Sequence, residues 1–235
     1  MPATPTVPVV EAPARVPGEG LEAQAPGVDM PGLEMPAPVA GRLGRLQAQL
    51  GIEGLSGVEL VYSGKAAEGR TSLLTASALC GLLSSSLGAG CNLVNASMVA
   101  RERGIRVAET TAAQGEDYTA LIRLKVETSR GTSTLAGAIF GKREPRVVEI
   151  DGIAIEAIPV GHVLVFWNLD RPGLIGGIGT TLGRHGINIG QFQFGREKEG
   201  ARAVTLVNVD AGVEETVLAE LRALPNVLSV TQAHL

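Results

Sequence analysis

Apolar positions recur along this chain with two different periods, and the switches between them mark its elements. From position 41, Leu43, Leu46 and Leu50 stand at helical spacing, and Val58 to Tyr62 (VELVY) then reads as a strand. Thr71 to Leu87 predicts a helix, with Leu79, Leu83 and Leu87 on one face and Gly88, Ala89 and Gly90 ending it. Ser97 to Arg103 predicts a short helix closed by Gly104. The period then drops to two. Tyr118, Ala120, Ile122, Leu124 and Val126 alternate with Thr119, Leu121, Arg123, Lys125 and Glu127, a strand with one buried face. Thr132 to Phe140 is its hairpin partner across Ser129, Arg130 and Gly131. Asp151-Gly152 is a type I′ turn signal that pairs Ile150 with Ile153 and Val148 with Ile155.

The last block has the plainest rhythm. Val163 to Trp167 reads as a strand, Pro172 to Gly183 as a helix opened by proline, then Ile187 to Phe194 and Ala203 to Val209 as strands. Val213 to Leu224 is a helix with Val213, Val217, Leu221 and Leu224 on one face, and Val227 to Gln232 a final strand. The order β-α-β-β-α-β is the split-βαβ, ferredoxin-like arrangement. The fold class expected is therefore α+β: a ferredoxin-like domain over 161–235, preceded over 41–160 by a small α/β domain that ends in antiparallel strands. Within the second domain the parity of the apolar residues changes, from Ile187 and Ile189 to Phe192 and Phe194, which predicts a bulge near Gly190.

Composition separates off the start of the chain. Nine of its 13 prolines fall in the first 40 residues, with no sustained period, so 1–40 reads as a disordered tail or linker that buries too little to offset its ordering entropy. Formal net charge is -4 and the arginines are scattered, which argues against a nucleic-acid partner. No run of about 18 apolar residues spans a membrane. The N-terminus lacks the basic-then-apolar pattern of a secretory signal, so the expected location is the cytoplasm. Cys80 and Cys91, eleven residues apart, fit neither a metal-ligand spacing nor a disulfide framework and read as buried or inert thiols in a reducing compartment.

Chemistry concentrates between Asn168 and Asn188. Asn168-Leu169-Asp170-Arg171-Pro172-Gly173 joins a strand to a helix whose first N–H groups are unpaired and suit a carboxylate. Asp170 could hold an ammonium group there, and Asn188 adds an amide that both donates and accepts. Asp170 also fits a plain helix cap. Gly173, Gly176, Gly177, Gly179 and Gly183 crowd this helix, each costing up to about 1 kcal/mol relative to Ala. Something then has to approach its backbone: a ligand, the sheet or another subunit.

Catalytic patterns fail. Gly177-Ile178-Gly179 imitates a dinucleotide fingerprint, but Leu182 stands where its third glycine belongs. Gly137 to Arg143 (GAIFGKR) is one residue short of a phosphate loop and ends in Arg. His162, His185 and His234 have no nucleophile or acid at a recognisable spacing.

The segment NLDRPGLIGGIGTTLGRHGINIGQFQFGR resembles the ACT domain of D-3-phosphoglycerate dehydrogenases. VELVYSG, TASALCGLLSSSLG, NLVNASMVARERGI, EDYTALI and FGKREPRVVEIDG resemble the intervening regulatory domain that precedes ACT in the long form of that family. The resemblance covers roughly residues 41–235 and implies an L-serine effector at an interface between two ACT domains. It maps the serine contacts onto Asn168, Asp170 and Asn188, with Ile189 beside the last and backbone donors around Pro172, Gly173 and Leu174. Asn188 would reach a ligand held mainly by Asp170 of the neighbouring subunit. It further implies that the intervening domain can bind an anion, for which Arg70, Arg101, Arg103, Lys142, Arg143 and Arg146 are candidates; a solvated basic surface accounts for the same residues. The family's NAD-binding catalytic half has no counterpart in these residues, so no cofactor is expected in this chain, and NAD only through an absent or separate catalytic domain.

Three functions follow as expectations: a serine-binding regulatory module acting on a separate dehydrogenase, part of a complete NAD-dependent D-3-phosphoglycerate dehydrogenase, or the regulatory chain of an iron–sulfur serine dehydratase. A homodimer through ACT sheet edges is expected under each.

Overall fold

A computed structural model describes residues 36–87, 90–112, 118–140 and 144–235. Its first element is α1 (Pro36–Leu50), followed by β1 (Gly57–Gly64), α2 (Thr71–Leu87) and α3 (Ala96–Glu102). Strands β2 (Arg106–Ala112), β3 (Ala120–Thr128), β4 (Gly131–Phe140), β5 (Glu144–Ile150) and β6 (Ile153–Ala157) complete a six-stranded sheet, in the order β2-β1-β3-β4-β5-β6. The helix α1 takes in residues 36–40, which composition assigned to the tail. Val39 and Ala40 are the reason: both are buried in the core, and burial overrides the weak helical signal of a Pro-Ala stretch.

Helices α1 and α2 cover one face of this sheet. Leu43 and Leu46 from α1 and Leu74, Leu79, Leu82 and Leu83 from α2 pack with Leu60, Tyr62, Ile122, Leu124 and Val126. The two helices cross at glycines. A Cβ on Gly44 would stand 2.1 Å from the Ala78 carbonyl oxygen, and one on Gly81 2.2 Å from that of Gly41. Along the opposite face runs a band of ion pairs, Lys125–Glu59 at 3.3 Å, Arg123–Glu149 at 3.2 Å and Arg106–Glu127 at 2.6 Å. The alternation in β3 holds from Ile122 to Glu127 and breaks at Leu121, which is buried on the ion-paired face in a small cluster with Ala136, Ala138 and Val148.

The structure adds one strand and alters one expected pairing. The sheet is mixed, because β2 pairs parallel with β1; sequence reading missed β2, whose residues are nearly all exposed and carry no alternation. The Asp151-Gly152 turn has φ of +46° and +83°, as a type I′ turn needs, and Ile150 does pair with Ile153. Val148 does not pair with Ile155, since the ladder shifts between Val147 and Glu149.

The second sheet contains β7 (His162–Leu169), β8 (Ile189–Arg196), β9 (Arg202–Val209) and β10 (Val227–His234), ordered β10-β7-β9-β8, with α4 (Leu174–Arg184) and α5 (Glu215–Arg222) on one face. This is the ferredoxin-like order, every neighbouring pair antiparallel. Leu164 and Phe166 of β7 face the helices, while Val163 and Val165 join the core of the first sheet together with Val204, Leu206 and Ala233. Both faces are covered, which explains the unbroken apolar run VLVFW. Gly195 lets β8 lie against β6: a Cβ there would be 2.3 Å from the Ala154 carbonyl oxygen. At the other end, the Gln49 side chain acts as a short strand for β10, donating to the His234 carbonyl at 3.0 Å and accepting from the His234 N–H at 2.8 Å. The described residues, from Pro36 onward, belong to one compact unit.

Candidate functional site

The loop from β7 to α4 forms because Gly173 can take a left-handed conformation, φ +90°, that a residue with Cβ adopts only under strain. Gly173 is therefore the helix N-cap, and Pro172 lies outside the helix it was expected to open. The cap has no side-chain hydrogen bond, so Asp170 does not cap α4. Its carboxylate is held sideways instead. Arg196 Nη1 donates to Asp170 Oδ2 at 2.7 Å and the Gly200 N–H donates to the same oxygen at 3.2 Å. No bond to Oδ1 occurs among the described residues. The first-turn N–H groups of α4 have no intrahelical acceptor and carry the positive end of the helix dipole. An open carboxylate oxygen next to a set of N–H donors matches the ammonium and carboxylate of a free amino acid.

The Arg196 guanidinium, followed by the Gly200 N–H, holds the Asp170 carboxyl below its ordinary value. A depressed folded-state pKa stabilises this pair above the unfolded carboxylate pKa, and the effect is lost as pH falls through the folded value. The β8–β9 turn is accordingly expected to loosen only in strongly acid solution. In Arg196→Ala the Asp170 carboxyl carbon, followed by NMR, is expected to titrate at higher pH than in the parent; an unchanged midpoint would show that the ion pair is not what sets it.

The other nominated residues separate into three groups. Asn168 is fully buried in one copy, with Oδ1 accepting from Thr205 Oγ1 at 3.0 Å and Nδ2 donating to the Leu169 carbonyl at 3.2 Å, so its amide braces the strand end. Pro172 has no N–H to give, and the Leu174 side chain is buried, leaving the amides of Gly173 and Leu174 as the usable donors of that trio. Asn188 and Ile189 lie elsewhere. His162 and Ile189 both pair with Val209, whereas Leu169 pairs with Arg202, so the two groups sit at opposite ends of the sheet. Seven strand rises separate them, roughly 23 Å. Asn188 is exposed there and donates to Asp210 Oδ2 at 2.8 Å. One copy of the chain cannot bring Asn188 to Asp170.

Two further features lie on the exposed side of β8 and α4. Strand β8 is the sheet's edge, and its ladder with β9 shifts between Ile189 and Gln191, at Gly190. On α4, a Cβ on Gly176, Gly179 or Gly183 would meet nothing within 4 Å, and Ile175 is 55% exposed. The sheet of this chain is therefore not what these three glycines accommodate. Sequence reading missed Arg196, Gly200 and Asp210; all three meet their partners only through strand register, which spacing alone does not reveal.

The four basic candidates among the described residues are spread over several elements. Arg101 and Arg103 stand at α3 beside β2, Arg70 precedes α2, and Arg146 lies on β5, three strands away from β1 and close to Glu144 at 2.7 Å. Arg103 borders a groove of about 650 Å³ with Gln49, Ile52, Glu53, Leu83 and Ile105. Lys142 and Arg143 lie outside the described residues, as does the end of the GAIFGKR stretch. The His162 and His234 rings meet at a tilt of 37° with centres 4.4 Å apart, and His185 Nε2 is 3.1 Å from Glu220 Oε1.

Comparison with known proteins agrees with this architecture. Residues 35–151 match the D-3-phosphoglycerate dehydrogenase intervening domain and residues 162–226 the ACT domain. Among curated relatives, the D-3-phosphoglycerate dehydrogenase of Methanocaldococcus jannaschii is 37% identical over 197 residues, covering 84% of this chain and 37% of the relative. That of Bacillus subtilis is 34% identical over 192 residues, covering 82% and 37%. That of Archaeoglobus fulgidus is 36% identical over 180 residues, covering 76% and 34%. The chain thus spans little more than a third of the length of these relatives. It belongs to the D-3-phosphoglycerate dehydrogenase family and carries that family's C-terminal regulatory region, the intervening domain followed by the ACT domain.

Proposed function

We propose that this chain is an L-serine-binding allosteric module of L-serine biosynthesis, acting on a D-3-phosphoglycerate dehydrogenase catalytic domain that lies beyond these residues. The observation that carries this is the Asp170 carboxylate, its Oδ2 held by Arg196 and Gly200 and its Oδ1 without a bond among the described residues, three positions ahead of the Gly173 N-cap of α4 on an ACT domain. The serine carboxylate would take the amides of Gly173 and Leu174, and its ammonium group the Asp170 carboxylate.

The rest of the site comes from a second copy. Antiparallel two-fold pairing of β8 with β8 of another chain sets the start of one strand against the end of the other, and so carries Asn188 to the Asp170 end of its partner. The solvent-facing glycines of α4 leave room for that approach. Ile189 follows Asn188 into the same interface. In this reading the module itself performs no chemistry and holds no cofactor; NAD belongs to the catalytic domain, joined or separate. The cytoplasm, where the substrate pools of amino-acid biosynthesis lie, is the proposed location. No helix among the described residues is long and apolar enough to cross a membrane.

Isothermal titration with L-serine tests the proposal, with light scattering to give the oligomeric state. Saturable heat from a dimer or larger assembly is expected. Asp170→Ala is expected to weaken binding by roughly 10- to 100-fold, the range for losing a hydrogen bond to a charged group. No heat at millimolar serine, or a strict monomer that binds serine, would overturn it.

A further inference from the structure

Cys80 and Cys91 read in the sequence as inert thiols, but the fold brings them into contact. Cys80 lies in α2 and Cys91 just ahead of α3, and their sulfurs are 3.6 Å apart in a thiol–thiol hydrogen bond. Both are half-buried, so small oxidants reach them without unfolding. Cys91 is also held in place from its own side. The Asn95 side chain accepts from the Asn92 N–H at 2.7 Å and donates to the Gly90 carbonyl at 3.0 Å, while Asn92 Oδ1 accepts from the N–H groups of Val94 and Asn95. Two thiols in contact, one on a core helix and one on a braced turn, need only a small approach to reach bonding distance.

We propose that Cys80 and Cys91 are a redox modification site, closing a reversible disulfide when a peroxide oxidises the chain. The first step falls on Cys91: its thiolate attacks one peroxide oxygen, the O–O bond breaks, and Cys91 becomes a sulfenic acid as hydroxide leaves. The Cys80 sulfur then attacks the Cys91 sulfur, the S–O bond breaks, and the departing hydroxide takes up the proton that Cys80 gives. In sum two thiols and one peroxide give one disulfide and two waters. Burial, then the bond to Cys91, pushes the Cys80 thiol up to about 12, which leaves the first attack to Cys91, while the 3.6 Å contact places the Cys80 sulfur to resolve the sulfenic acid. A dithiol reverses the reaction by exchange.

The bond would tie the turn from Asn92 to Asn95 to α2. That turn presents Val94, 95% exposed, with Leu93 beside it and Met98 one turn further on in α3. Oxidation therefore fixes the position of an apolar knob on the intervening domain.

The test uses the full chain, reduced, then exposed to hydrogen peroxide and alkylated. Trypsin leaves both cysteines in one peptide, Thr71 to Arg101, since no Lys or Arg lies between. The expected product is that peptide lacking two hydrogens and carrying no alkyl group, returned to the dialkylated form by dithiothreitol. Cys80→Ser is expected to leave a sulfenic acid at Cys91 that a dimedone probe captures, and circular dichroism checks that this variant is folded. A peptide still dialkylated after peroxide would overturn the proposal. So would separate sulfinic acids on the two cysteines, or disulfides formed only between chains.

Discussion

Mixing Asp170→Ala chains with Asn188→Ala chains is expected to restore parent-strength L-serine binding that each variant alone has weakened. The expectation follows from register: within one copy Asp170 and Asn188 stand at opposite ends of the second sheet. If each site takes Asp170 from one copy and Asn188 from the other, a mixed dimer has one site with both residues lost and one with both intact. Random exchange makes half of the dimers mixed, so recovery reaches about a quarter of the parent sites. Titration calorimetry after subunit exchange measures it. Recovery near zero, with exchange confirmed by native mass spectrometry, would mean that Asn188 does not complete the neighbouring site.

Gly44→Ala is expected to destabilise the fold by about 3 kcal/mol or more, the upper end for overpacking. The new methyl would meet the Ala78 carbonyl oxygen at 2.1 Å and the Leu82 nitrogen at 2.8 Å, and both are helix backbone that no rotamer change can move. The gain of up to about 1 kcal/mol from helix propensity is too small to offset this. Gly177→Ala is the control in α4. Its new methyl would meet only the Leu224 side chain, at 3.6 Å, which is ordinary contact, so the same propensity gain should appear as added stability in urea unfolding of the serine-free chain. Equal responses at the two positions would show that the α1–α2 crossing tolerates more separation than its geometry implies.

Contrasts such as this mark what a sequence makes legible. Periodicity or an unbroken apolar run located α2 and every strand and helix of the ACT domain, because those elements are apolar on one or both faces and end at glycine, proline or charge. It missed β2, where no face is buried. It started α1 too late, since the burial of Val39 and Ala40 is decided by a sheet formed from distant residues. The candidate site was legible as far as residue types go: an acid, N–H donors and amides near a helix start. Its arrangement was not. The hold of Arg196 on Asp170, the burial of Asn168 and the separation of Asn188 from Asp170 are consequences of strand register. Cys80 and Cys91 make the same point, because a gap of eleven residues says nothing until a helix and a turn fold it closed.

The second sheet is sandwiched, with its own helices on one side and the first domain's core on the other, Val163, Val165, Val204 and Leu206 being shared property of both halves. Neither half can then melt first without exposing the other's interior to water. A ligand that binds only the folded ACT edge acts on that single equilibrium, adding RT ln(1 + [L]/Kd) to the whole of it. The intervening domain, which the amino acid would never touch, thereby becomes a thermometer for its concentration.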